Sequence, residues 1–307
     1  MTERLALGID IGGTSCKLAL MDSSGGLHHM GDIPTRARDG GEVLINRLIE
    51  AAGQLLRAAP PGSVAGIGIA SAGQIDFATG ICRYATEALP GWTGMDIGPR
   101  MRAAFGLPVW VENDANAAAL AELTYGAGQG LSDLICLTLG TGIGGGVVSG
   151  GRLVRGAHGG GGELGHIPVE PGGAPCSCGA HGCLEAYASA TGILRLAREA
   201  GLAAESAAQV YALSAAGDSA ARAVTERVAR WLAQGIVAMV AAFDPEAVLI
   251  GGGVSQAGAL LFEPLRGHLD AHPFVRGRCQ VRPAALGPRA GVIGAAAQVF
   301  FYHNRED

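Results

Sequence analysis

Two segments of this chain repeat one pattern: an apolar run, a short glycine turn and a second apolar run. Leu5 to Asp10 passes through Gly12, Gly13 and Thr14 into Cys16 to Met21, and Leu134 to Leu139 passes through Gly140, Thr141 and Gly142 into a return ending at Val148. Apolar runs this short, bounded by glycine, read as buried strands joined by tight turns. One such unit near the start of each half is a weak internal repeat.

The remaining pattern alternates helix and strand. Glu42 to Ala58 sets Val43, Leu44, Leu48, Ala51, Leu55 and Leu56 at helical spacing, and Pro60-Pro61-Gly62 ends it before a strand at Val64 to Ala70. Pro99 to Phe105 predicts a short helix and Pro108 to Val111 a strand. Asn113 or Asp114 then caps an alanine-rich helix through Leu123. Ala186 to Phe243 is helical in pattern, Ala247 to Ile250 a strand, and Gly251-Gly252-Gly253 a turn that opens a helix. This is α/β architecture, and 307 residues exceed what one core usually serves. Two domains are expected: a small one over residues 1–118, with a terminal helix of about 291–307 packing back on it, and a larger one over 119–290.

A net charge of −5 without runs of like charge gives no field for nucleic acid or an anionic membrane. The N-terminus enters a strand almost at once, with no signal-peptide pattern, and the apolar stretch Gly235 to Phe243 is too short to span a bilayer. A cytoplasmic protein is expected, whose seven cysteines are thiols or metal ligands before disulfides.

His166, Cys176, Cys178 and Cys183 fall within 18 residues of a glycine-rich stretch that has no apolar core of its own. One histidine and three cysteines are a closed tetrahedral set for structural Zn²⁺. Such a loop has little reason to be ordered without the metal.

The glycine turns are candidates for phosphate binding, because backbone N–H groups can approach an oxygen where no Cβ intervenes. Asp10, Gly12, Gly13, Thr14 and Lys17 form the first, Gly140, Thr141 and Gly142 the second, and Gly252 and Gly253 lie in a third. Asp10 would serve Mg²⁺ directly or through water. Lys17 is the only lysine in the chain, beside 21 arginines. Gly140 to Gly145 also fits G-x-G-x-x-G, yet it runs into a returning strand instead of a helix, which argues against a dinucleotide site. Glu112-Asn113-Asp114-Ala115-Asn116 ends a strand and opens a helix. An ionised Asp114 there could accept a proton from an attacking hydroxyl that Asn113 orients, or simply cap the helix.

These motifs, in this order and over nearly the whole chain, resemble the ROK family of repressors and sugar kinases. Asp10 to Thr14 with Lys17 is similar to its first phosphate motif, Leu139 to Gly142 to its second, and Gly251 to Gly253 to its adenosine motif. Glu112 to Asn116 is similar to its catalytic segment, and Gly165-His166 through Cys183-Leu184-Glu185 to its zinc signature. The resemblance implies a two-domain actin-like ATPase (ribonuclease H-like) fold with duplicated sheets and ATP in an interdomain cleft. It implies Asp114 as base, sugar contacts from Gly73, Asn113, Glu163, His166 and Glu185, and His166 shared between zinc and sugar. It further implies ATP, Mg²⁺ and structural Zn²⁺, and a homodimer or tetramer.

Phosphorylation of glucose is the leading expectation. Ala88, before Pro90-Gly91-Trp92, stands where glucokinase-like members often carry asparagine, which keeps an N-acylhexosamine, another hexose or a glucoside open as acceptor and polyphosphate open as donor. A sugar-sensing repressor would need a helix-turn-helix ahead of Asp10, where only nine residues stand. A catalytically idle scaffold would have no use for Asp10, Asp114 and both phosphate turns.

Overall fold

The computed structural model describes residues 4–303. The chain divides into two compact units, one of Met1–Gln129, Arg155–Gly161 and Pro288–Asp307, the other of Gly130–Val154 and Gly162–Gly287. A boundary at residue 118 would cut the helix Asp114–Tyr125, which lies whole in the first unit. No shift in composition marks the seven-residue return at Arg155–Gly161.

The first unit is built on strands β1 (Leu5–Ile11), β2 (Ser15–Asp22), β3 (Leu27–Pro34) and β4 (Val64–Ser71), then a small hairpin of β5 (Gln74–Asp76) and β6 (Ile81–Tyr84), and β7 (Val109–Asn113). The main sheet has the order β3-β2-β1-β4-β7, with β1, β4 and β7 parallel and β2 and β3 antiparallel. Alternation along the strands sorts its two faces. Leu5, Leu7, Ile9, Ile11, Ile67 and Ile69 share a core with Leu44, Ile45 and Leu48 of helix α1 (Gly41–Ala58) and Met101 of α2 (Ile97–Phe105).

The intervening residues are small: Ala6, Gly8, Gly66, Gly68 and Ala70. The terminal helix Ala290–His303 lies against that face, so close that a Cβ on Gly68 would collide with the Ala295 carbonyl. It also packs on α3 (Asp114–Tyr125), where Gly294 meets the Ala117 carbonyl, and buried Gln298 donates from Nε2 to Ile69 O at 3.0 Å. Residues 304–307, the end of the helix expected over 291–307, lie outside the described residues.

The second unit repeats the plan. Strands β8 (Leu134–Leu139), β9 (Ile143–Ser149), β10 (Arg152–Leu153), β11 (Ala247–Gly251) and β12 (Gln280–Pro283) have the order β10-β9-β8-β11-β12, with β8, β11 and β12 parallel. The run read as helical resolves into α4 (Glu185–Ala188), α5 (Ala190–Glu199), α6 (Ala207–Ala215) and α7 (Ser219–Phe243). Helix α8 (Ala259–Ala271) follows β11, and Ala290–His303 is α9. Val224, Val228, Trp231, Leu232, Ile236 and Met239 bury one side of α7 in a core shared with Ile135, Leu137, Val248 and Ile250. Among the described residues no helix is long and apolar enough to cross a membrane.

Candidate functional site

In the first unit the chemistry gathers at the carboxyl ends of the parallel strands, the edge where open α/β sheets bind ligands. Register aligns Asp10 with Ala70 and Ala70 with Glu112, so Asp10, Gly73 and Glu112 to Asp114 leave the sheet side by side. Asn113, not Asp114, is the principal cap of α3: its Oδ1 accepts from Ala115 N at 2.9 Å and Asn116 N at 3.1 Å. Its Nδ2 donates to Gly73 O at 3.1 Å, tying two of the expected sugar residues together.

Asp114 keeps surface open to solvent although many protein atoms crowd around its carboxyl, and its Oδ1 accepts from Ala115 N at 2.8 Å. Desolvation by the surrounding protein raises its carboxyl above the ordinary aspartate value, while the bonds from Ala115 and Asn113 oppose the shift. Asp10 is pushed up to about 6, first by burial and then by the charge of Asp114, with Lys17 opposing. The two carboxylates are therefore electrostatic neighbours.

Lys17 pairs across the hairpin with Asp10, and its Nζ donates to Pro288 O at 2.9 Å. The lone lysine thus anchors the segment entering α9 as well as bordering the first turn. That turn closes through Gly12 N to Ser15 O at 3.1 Å, and Thr35 Oγ1 donates to Gly12 O at 2.5 Å. Thr14 O accepts from Thr35 N, and Gly13 faces open space.

In the second unit the other two glycine turns also sit at carboxyl strand ends, after β8 and β11. Gly140 N donates to Gly142 O at 2.9 Å. Gly144 to Val148 returns antiparallel to β8, so the G-x-G-x-x-G run is a hairpin and opens no helix. Gly252 packs on the backbone of Leu139, while Gly253 has open space around it.

His166, Cys176, Cys178 and Cys183 converge, their ligand atoms all within 4.8 Å of one another. A tetrahedral zinc with Zn–S of about 2.3 Å and Zn–N of about 2.0 Å requires S···S and S···N edges of about 3.8 and 3.5 Å. The sulfurs of Cys178 and Cys183 are 3.8 Å apart, and Cys176 Sγ stands 3.5 Å from His166 Nδ1. The donor set fits zinc in kind and in spacing. Nδ1 of His166 faces the sulfurs, and Nε2 lies 3.9 Å from the Glu163 carboxylate.

Glu185 is tied to both neighbours. Its Oε1 accepts from Ser177 Oγ at 2.7 Å, and its Oε2 accepts from Ile143 N at 2.9 Å, directly after the turn at Gly140 to Gly142. A Cβ on Gly142 would run into this carboxylate. A concavity of about 290 Å³, lined in part by Thr141, Gly142, Cys176, Glu185 and Arg195, opens beside it.

Sequence reasoning quoted Glu112 and Asn116 within the segment similar to the catalytic one but gave neither a role, and it passed over Arg155 and Ser177. Glu112 is 2% exposed, and a carboxylate in the apolar strand VWVEN was the available signal, since a buried charge requires partners. Its partner Arg155 lies 43 positions away, and no local pattern links the two.

A sequence model of the ROK family matches residues 6–300. The glucokinase of Halalkalibacterium halodurans is 38% identical over 313 residues, covering 96% of this chain and 94% of its own. A ROK hexokinase structure from Thermus thermophilus superposes with a TM-score of 0.85 at 38% identity, covering 98% of this chain and 99% of its own. A ROK glucokinase structure from Streptomyces griseus, in complex with glucose and AMPPNP, has a TM-score of 0.79 at 34% identity and covers 95% and 98% of the two chains. With the duplicated sheets, these likenesses make the fold that of the actin-like ATPases. Motif order, sheet topology and the match over residues 6–300 lead to one assignment: the chain belongs to the ROK family.

Proposed function

We propose that this chain transfers the γ-phosphoryl group of ATP to a hexose hydroxyl, with glucose as the leading acceptor. The observation that carries this reading is Asp114, a carboxylate at the opening of α3 and the electrostatic neighbour of Asp10. The relatives that share the chain's full length and are glucokinases and hexokinases support it.

Asp114 takes the proton of the attacking hydroxyl, and its raised pKa improves it as a base. Asn113 holds that hydroxyl with the part of its amide not engaged by Gly73. Asp10, its carboxyl pushed up to about 6, would hold Mg²⁺ directly or through water, and the ion would supply charge neutralisation at the phosphates. The turns at Gly12 to Thr14, Gly140 to Gly142 and Gly252 to Gly253 carry ATP. Glu163, His166 and Glu185 bind the sugar. His166, Cys176, Cys178 and Cys183 would hold zinc, which would supply a rigid anchor for the histidine ring; Nδ1 faces the Cys176 sulfur, and Nε2 is left for the sugar.

The test is sugar-dependent ADP release with Mg²⁺-ATP across glucose, mannose, fructose, N-acetylglucosamine, N-acetylmannosamine and a β-glucoside. Glucose turnover well above the others is the expected result. Turnover of an N-acylhexosamine instead keeps the kinase and replaces its acceptor. No turnover by folded, zinc-replete protein on any of them rejects the reading.

Asp10 offers a second check. Gly291, in the first turn of α9, leaves room for its carboxylate, and a Cβ there would strike both oxygens. Alanine suits a helix better than glycine by about 1 kcal/mol, so Gly291→Ala should not weaken α9 itself. Displacing the carboxylate should lower kcat by about ten-fold or more while the melting temperature stays within a few degrees. Steady-state kinetics beside a thermal melt measures both, and unchanged kcat would show that Asp10 needs no such room.

A further inference from the structure

Glu112 sits one residue before the cap of α3 and two before Asp114, at the end of the innermost stretch of β7. It is 2% exposed, and three donors surround its carboxylate. Arg155 Nε reaches Oε2 at 2.6 Å, while Asn113 N–H and Asn116 Nδ2 reach Oε1 at 3.0 and 3.1 Å. Glu112 therefore fixes the backbone of the cap residue and the first turn of the helix that carries Asp114.

Arg155 has partners besides Glu112. Its guanidinium lies 3.6 Å from the ring centroid of Phe77, and its second terminal nitrogen donates to the Tyr302 hydroxyl. Phe77 and Tyr302 meet edge to face at 4.9 Å. The loop that delivers it closes by Gly161 N to Arg155 O at 2.7 Å, and Gly159 presses on the Ile75 carbonyl of β5. Arg155–Gly161 is a seven-residue return to the first unit, with both flanks in the second. The chain makes that return with one cation, and the cation ends on Glu112.

We propose that Arg155 is a positioning residue for phosphoryl transfer, neutralising buried Glu112 so that Asn113 and Asp114 keep their geometry; this rests on the kinase reading. A buried carboxylate that loses its cation either takes up a proton or moves toward water. Both responses disturb the cap that Glu112 holds. Removing both charges leaves neither problem, since a glutamine at 112 still accepts from Asn113 and Asn116 through Oε1.

The test compares Arg155→Met, Glu112→Gln and the double variant in the full, zinc-loaded chain, with thermal melts to confirm folding. Wild-type turnover across the sugar panel is measured first and decides the kinase reading by itself; the variant ratios, taken on the sugar that turns over, decide this proposal. Arg155→Met should lower kcat by about thirty-fold with the KM for ATP within about two-fold. The double variant should turn over at least about five-fold faster than Arg155→Met, because the orphaned charge is gone. Wild-type kcat in folded Arg155→Met overturns the proposal, as does a double variant no faster than the single. Should Arg155→Met fail to fold, the double variant carries the test alone: kcat within about ten-fold of wild type supports the proposal and a larger loss overturns it.

Discussion

Asp114→Asn should lower kcat by about three orders of magnitude while the KM for glucose and for ATP changes only a few-fold, the scale on which a positioned general base acts. The substitution is nearly isosteric. Its carbonyl oxygen can keep the bond from Ala115 N, now 2.8 Å, and the helix cap stays with Asn113. Stability should therefore hardly change, and a thermal melt separates lost chemistry from lost fold. An internal control accompanies it: Asp114's charge is one cause of Asp10's elevated pKa, so neutralising it should let Asp10 ionise more readily, below about 6. A folded Asp114→Asn protein with kcat within ten-fold of wild type would remove the assignment of the base.

Stripping the metal should have the next largest effect, and it should fall on the sugar. Chelation by a strong zinc ligand should release about one zinc per chain, measured by elemental analysis, and raise the KM for glucose by about 10- to 100-fold. The cause is local. His166 would lose the bond at Nδ1 that fixes its ring, and the loop carrying Cys176 and Ser177 would loosen around Glu185. Glu185 also accepts from Ile143 N beside the turn proposed to carry ATP, so the KM for ATP should rise too, by a smaller factor. Restoring zinc should reverse both changes. An unchanged glucose KM in fully stripped, folded protein would show that the metal does not support the sugar residues.

The parts of this molecule legible in its sequence are those where period and punctuation agree. In β1 and β4 large and small residues alternate, and the glycine turns mark where each hairpin reverses. Strand β3, LHHMGDIP, escaped notice because it has no buried position and exposes His28, His29 and Met30. Without an apolar face, only its pairing with β2 defines it. Likewise the ligand cluster was visible because its residues crowd into 18 positions, whereas Arg155 and Glu112 meet only after folding. Residue types alone left the cap of α3 open between Asn113 and Asp114, and the bonds to Ala115 and Asn116 favour Asn113.

The small-residue face of the first sheet has a consequence for synthesis. Gly8 and Gly68 are shaped for α9, yet α9 is made after every other described element. The unit whose strands leave the ribosome first cannot cover this face until the whole of the second unit has been made. Until then the strip of small residues lacks the helix that later settles on it.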